Sequence, residues 1–334
     1  MKMVFPMLAL AAMSFANASF AQTTSTPRYG VRLEGFDYPH PVRTFAFASQ
    51  DQPLEMAYLD VAPARPNGRT VVLLHGKNFC AATWDATITA LTGAGYRVIA
   101  PDQIGFCKSS KPQRYQYSFA QLAGNTRALL EQLGIQRAVI VGHSMGGMLA
   151  ARYALQYPQA TERLLLVNPI GLEDWKAEGV PWRSLDAWYT REQKTTFDSI
   201  RDYQRTVYYG GDWKPAYEQW VQMLGGMYAG EGGNAVAWSQ ASTSDMVFNQ
   251  PVVYEFPQIA APTTLFIGQK DRTAIGKDLA PPDLAQRLGD YPALGKRAAA
   301  AIPGATLVEF ADLGHSPQVE APARFNAALL SALD

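Results

Sequence analysis

Ala138-Val139-Ile140-Val141-Gly142-His143-Ser144-Met145-Gly146-Gly147 runs from a short apolar segment through G-H-S-M-G directly into a helical pattern. Strand, tight turn and helix in immediate succession are the layout of a nucleophile elbow. Ser144 then stands at a helix N-terminus, where amide groups and the helix dipole favour negative charge. Gly142 and Gly146 are small, as they must be for strand and helix to approach closely. A bare G-x-S-x-G is a weak signal, and the flanking strand and helix make it a strong one.

Outward from the elbow, the chain alternates short apolar runs with longer amphipathic ones. Residues 70–74, 98–101, 138–141, 164–167, 264–267 and 306–310 are near-continuously hydrophobic, which suits strands covered on both faces of a parallel sheet. Residues 82–94, 118–133, 144–157 and 321–333 have helical length and spacing. Repetition of strand then helix implies βαβ units and an α/β sandwich. Residues 44–49 and 55–61 read as antiparallel edge strands ahead of the parallel part. From 171 to 250 no strand-like run occurs, and six of the seven tryptophans fall there, with Tyr189, Tyr208, Tyr209 and Tyr228. This segment reads as a helical cap over the carboxyl edge of the sheet, where ligands of open α/β sheets bind. Most of its aromatics are expected to pack the cap itself and a few to reach a pocket.

A serine hydroxyl becomes a nucleophile only when a base takes its proton. Of four histidines, His40 precedes the sheet repeats, His143 adjoins the serine and should point away from it, and His75 suits bracing the Gly76 loop. His315, in the loop after the last apolar run, is the expected base. The acid that orients it is expected to be Asp271, which follows the run 264–267. Glu173 and Asp174 are the alternative placement, and Asp278 a weaker one. The order Ser, acid, His agrees with the elbow. Two backbone N–H groups are needed for the oxyanion: that of Met145, after the nucleophile, and that of Lys77, with Asn78 close behind. The donor is backbone, so the lysine charge is not expected to matter.

The sequence resembles the α/β-hydrolase family along nearly all of residues 22–334. The resemblance rests on His75-Gly76, the segment Pro101-Asp102-Gln103-Ile104-Gly105-Phe106-Cys107-Lys108-Ser109, the elbow, Gly268-Gln269-Lys270-Asp271, and G-H-S-P-Q-V-E-A-P around His315. It implies an α/β fold with an eight-stranded, mostly parallel sheet, helices on both faces, a cap after the sixth strand, and a site without cofactor or metal. One departure is that Phe106 and Cys107 stand where the family usually has a small residue, so their bulk is expected to narrow the pocket. In the family the strand ends carrying Cys80 and Cys107 are close neighbours. That tilts an otherwise even choice towards a disulfide pinning both loops, worth roughly 3–4 kcal/mol in the chain-entropy model.

The composition sets bounds. Hydrophobic residues are 48% and charged residues 17%, with Lys plus Arg and Asp plus Glu both at 29. The zero net charge offers no electrostatic reason to expect nucleic acid or an anionic membrane as partner. Residues 1–21 have the charged, apolar, small-residue order of a signal peptide, with cleavage expected before Gln22. Export would place the protein in the periplasm of a two-membrane bacterium, or outside the cell otherwise. The expected organisation is residues 22–170 as the first part of the core, 171–250 as the cap and 251–334 as the second part. The expected partner is a small molecule, and the expected activity hydrolysis of an apolar or aromatic carboxylic ester. Lactonase, amidase and carbon–carbon hydrolase activity with the same triad remain as alternatives, as does ligand binding with little turnover. Family members with aspartate at the elbow cleave carbon–halogen bonds or epoxides, and Ser144 argues against both. The loop Lys77-Asn78-Phe79-Cys80 does not resemble the glycine-rich one usual in carbon–carbon hydrolases.

Overall fold

The computed structural model describes Met1 and residues 26–334. The signal-peptide reading therefore lies outside the described residues. Eight strands form one sheet: β1 (Val42–Ser49), β2 (Gln52–Val61), β3 (Thr70–Leu74), β4 (Arg97–Pro101), β5 (Ala138–His143), β6 (Thr161–Val167), β7 (Thr263–Gly268) and β8 (Thr306–Phe310). Their spatial order is β1-β2-β4-β3-β5-β6-β7-β8. The β1–β2 and β2–β4 pairs are antiparallel and all others parallel. The order reverses around β3 and β4, leaving β5 central, so the elbow stands at mid-sheet.

The apolar runs are continuous because both faces are covered. Val72, Leu74, Ile140, Leu164 and Leu166 pack into one hydrophobic cluster, while Val71, Leu73, Val139, Val141, Leu165 and Val167 pack into another. Alternate residues of each strand thus enter opposite layers. Among the helices supplying these layers are α1 (Asp85–Gly93), α2 (Phe119–Gln132) and α3 (Met145–Gln156). Between β6 and β7 come α4 (Trp175–Glu178), α5 (Leu185–Glu192), α6 (Phe197–Tyr203), α7 (Glu218–Ala229) and α8 (Gly233–Asn249), with no strand among them. The chain closes with α9 (Pro282–Arg287), α10 (Tyr291–Ala301), α11 (Pro317–Glu320) and α12 (Pro322–Ser331). Ser118 starts α2, its side chain accepting from Gln121 N. The sequence reading names no helix between β7 and β8, where α9 and α10 lie. Proline in the first turn of each was the available signal. Among the described residues no helix is long and apolar enough to cross a membrane.

Candidate active site

Ser144 stands between β5 and α3 with φ 56° and ψ −121°, a conformation that costs a non-glycine residue energy. The surrounding glycines leave it no other course. A Cβ on Gly142 would lie 2.0 Å from Gly146 O, and one on Gly146 would lie 2.2 Å from Leu74 O. Strand β5, helix α3 and the end of β3 are therefore in backbone contact, and the serine is lifted onto the turn between them. Gly76 serves the next loop in the same way, since a Cβ there would come within 2.9 Å of Ser144 Cβ.

Asp271 and His315 are fully buried and joined by a hydrogen bond of 2.6 Å from Nδ1 to Oδ2. The carboxylate is held on every side. Asn168 Nδ2 donates to Oδ2 at 2.9 Å, and Thr273 N donates to Oδ1 at 2.8 Å. Asn168 stands just beyond β6 with φ 36° and also accepts from Gly268 N at 2.9 Å, so it ties two strand ends together behind the acid. With Nδ1–H directed at Asp271, Nε2 of His315 carries the lone pair, and it has no hydrogen-bond partner among the described residues. The alternative acids are engaged elsewhere. Glu173 accepts from Gly289 N, Asp174 caps α4, and Asp278 pairs with Arg183 and Arg191.

His315 is fixed from the cap as well as from the sheet. Its N–H donates to Tyr208 O at 2.7 Å, and the Tyr208 ring stacks on the imidazole with centroids 4.4 Å apart. Tyr208 closes a π-helical turn, Gln204–Tyr208, a distortion often found at functional sites. Its hydroxyl accepts from Asn78 Nδ2 at 2.8 Å, which joins the cap to the loop after β3. Sequence reasoning placed Tyr208 among the cap aromatics without assigning it this position. His143 is buried, and its Nε2 meets His315 O at 2.8 Å. Burial, then the neighbouring His315, holds its pKa well below the usual histidine value, so it is neutral. His75 braces two loops rather than one, with Nδ1 against Gly76 O and Nε2 accepting from Gln103 N.

The amides of Lys77 and Met145 make no hydrogen bond among the described residues, which leaves both N–H groups available beside Ser144. The Lys77 side chain is engaged apart from its backbone amide. Its Nζ bonds Glu192 Oε1 at 3.2 Å and Gln240 Oε1 at 2.7 Å, and Tyr228 OH donates to the other Glu192 oxygen. Burial lowers its pKa and Glu192 opposes that shift. The lysine charge is thus engaged in a half-buried link between the loop after β3 and helices α5 and α8.

A cavity of about 550 Å³ opens over Ser144. Its walls include Lys77, Asn78, Trp188, Tyr203, Tyr208 and Tyr228, so a minority of the cap aromatics reaches it, as expected. Trp182, by contrast, is exposed on the surface. Phe106 and Cys107 do not narrow this cavity. Both are buried in the core away from its walls, and Phe106 packs edge-on against His75 at 5.2 Å. Cys107 at φ 44° turns its sulfur back towards Cys80, and the structure pairs the two with Cα atoms 6.0 Å apart. Asp102, whose oxygens accept from Ala81 N, Tyr38 OH and Lys108 N, anchors the same two loops.

A family model described as alpha/beta hydrolase fold matches residues 69–322. The crystal structure of a probable hydrolytic enzyme from Pseudomonas aeruginosa PAO1 is 64% identical, with a TM-score of 0.92, over 92% of this chain and 99% of that one. An uncharacterized protein of Mycobacterium bovis is 42% identical over 106 residues, 32% of this chain. A 2-hydroxy-6-oxo-6-phenylhexa-2,4-dienoate hydrolase of Burkholderia cepacia is 38% identical over 108 residues, 31% of this chain. The chain spans 30% and 38% of the lengths of these two curated relatives.

Proposed function

The chain belongs to the alpha/beta hydrolase fold family and is an enzyme of it, and from that premise we propose that it is a serine hydrolase that cleaves carboxylic esters through an acyl-enzyme. The observation that carries this reading is the Asp271–His315 pair at 2.6 Å, with Nε2 free, in contact with Tyr208 and Thr273, which line the same cavity as Ser144. Ser144 Oγ attacks the ester carbonyl while His315 Nε2 takes its proton. The oxyanion is held by the N–H groups of Lys77 and Met145. The carbon–oxygen bond to the alcohol then breaks, and the proton passes from His315 to the departing alkoxide. Water, deprotonated by His315, attacks the acyl-enzyme, and its proton returns to Ser144 as the acid leaves. A lactone is a cyclic ester and fits the same steps. The test is rapid mixing with a 4-nitrophenyl ester of a short acid. A burst of about one equivalent of nitrophenol per protein chain, followed by steady turnover, is expected. Absence of any ester cleavage contradicts the reading.

We propose further that residues 1–21 direct export and that Cys80 and Cys107 form a structural disulfide in an oxidising compartment. The pair closes a loop of sequence separation 27 and joins the segments after β3 and β4. Thiol titration of the denatured, unreduced protein should find none. Two free thiols would rule the disulfide out.

A further inference from the structure

The charge of the cavity does not follow the charge of the chain. The whole sequence balances 29 basic against 29 acidic residues, yet five cations line the cavity (Lys77, Arg191, Lys194, Arg272 and Lys277) against two carboxylates, Glu192 and Asp278. Both carboxylates are already taken. Glu192 holds Lys77, and Asp278 is shared by Arg183 at 2.6 Å and Arg191 at 2.9 Å. Lys194, Arg272 and Lys277 have no carboxylate within 4.0 Å among the described residues. Arg272 donates to Gln269 O and Asp271 O, and Lys277 to Leu288 O, all backbone carbonyls. Glu173, whose charge also acts on Lys277, is occupied by Gly289 N and Trp175 Nε1.

The excess is localised. Lys194 and Arg272 are exposed and Lys277 is half-buried, whereas Ser144 and the aromatic and aliphatic lining residues Trp188, Tyr208 and Leu224 are buried. The cavity therefore carries aromatic and aliphatic side chains in its buried part, with Lys77, Asn78 and Ser244 among them, and cations without a carboxylate partner at its more exposed edge. A ligand complementary to both ends carries an apolar body and an anion. We propose that the substrate is an ester bearing a carboxylate on the part that projects towards Lys194, Arg272 and Lys277. This rests on the reading of the cavity as the substrate site. An edge of one sign both steers and selects an anionic ligand, with an effect that salt weakens.

The test is calorimetric binding of 4-phenylbutyrate and of its amide, 4-phenylbutanamide, which share a body and differ in charge. At low ionic strength the acid should bind at least about tenfold tighter. The gap should shrink with added sodium chloride and nearly close in the double variant Lys194→Gln, Lys277→Gln. These two are chosen because Arg272 also touches the backbone of Asp271. If the double variant does not fold, Lys194→Gln alone, on an exposed loop, should remove part of the gap. Equal affinities, including no binding of either compound, overturn the proposal, as does a gap that the variants leave unchanged. Turnover of 4-nitrophenyl butyrate by the same preparation reports on the ester reading separately. Its loss would remove that reading without altering the acid-to-amide comparison.

Discussion

Ser144→Ala is expected to lower kcat for a short aryl ester by about 10⁶-fold while leaving the folded state intact. The elbow backbone is imposed by the contacts of Gly142 and Gly146 with neighbouring main chain, not by the serine hydroxyl. His315 Nε2 already has no hydrogen-bond partner among the described residues, so removing the serine hydroxyl takes no hydrogen bond from it. The variant retains the two amide donors and the cavity, and these keep a residual acceleration over water of about 10³–10⁴. His315→Ala should cost as much, and combining the two should cost little more, because nucleophile and base act as one unit. Steady-state kinetics checks this, with a thermal melt to confirm folding. A variant that kept a tenth of the wild-type rate would remove Ser144 from the mechanism.

Asp271→Asn is expected to lower kcat by about 10⁴-fold with a much smaller change in KM. The substitution is nearly isosteric, and Thr273 N still has an oxygen to donate to. The failure is one of proton placement. At present Asp271 accepts from Nδ1–H, which leaves the lone pair of His315 on Nε2. An amide nitrogen in that position would donate to Nδ1 instead and drive the ring proton to Nε2, where it cannot accept from the serine. Asn168 Nδ2, which now donates to Asp271 Oδ2, would face an amide N–H in that arrangement, so some loss of stability should accompany the kinetic effect. A loss confined to stability, with kcat unchanged, would contradict the assigned role.

The parts of this site that could be read in the sequence are those fixed by local rules. Ser144 was legible because strand, glycine turn and helix lie within ten residues. Asp271 and His315 were legible because each follows the end of a short apolar strand, and parallel strands deliver such loops to one edge. What could not be read is what reaches the site from distant chain. Asn168 backs the acid 103 positions away, and Tyr208 covers an imidazole 107 positions on through a stacked ring and a carbonyl. Neither has a sequence signal beyond composition. Lys77 shows the same limit from another side, because the backbone role proposed for it follows from its place after Gly76 while its side chain is set by Glu192 and Gln240 of the cap. The bulk of Phe106 misled because residue size says nothing about direction, and the turn sends its ring into the core against His75. The basic edge of the cavity was invisible for a similar reason. A chain with balanced charge reveals a local excess only when 191–194 and 272–278 are brought to one wall.

The most direct measurement for the central claim is the intact mass of the folded protein after incubation with a fluorophosphonate, with peptide mapping of the adduct and Ser144→Ala beside it. The account predicts one adduct per chain, on Ser144, and none on the variant. No adduct on the folded protein, or an adduct that persists in the variant, would contradict it.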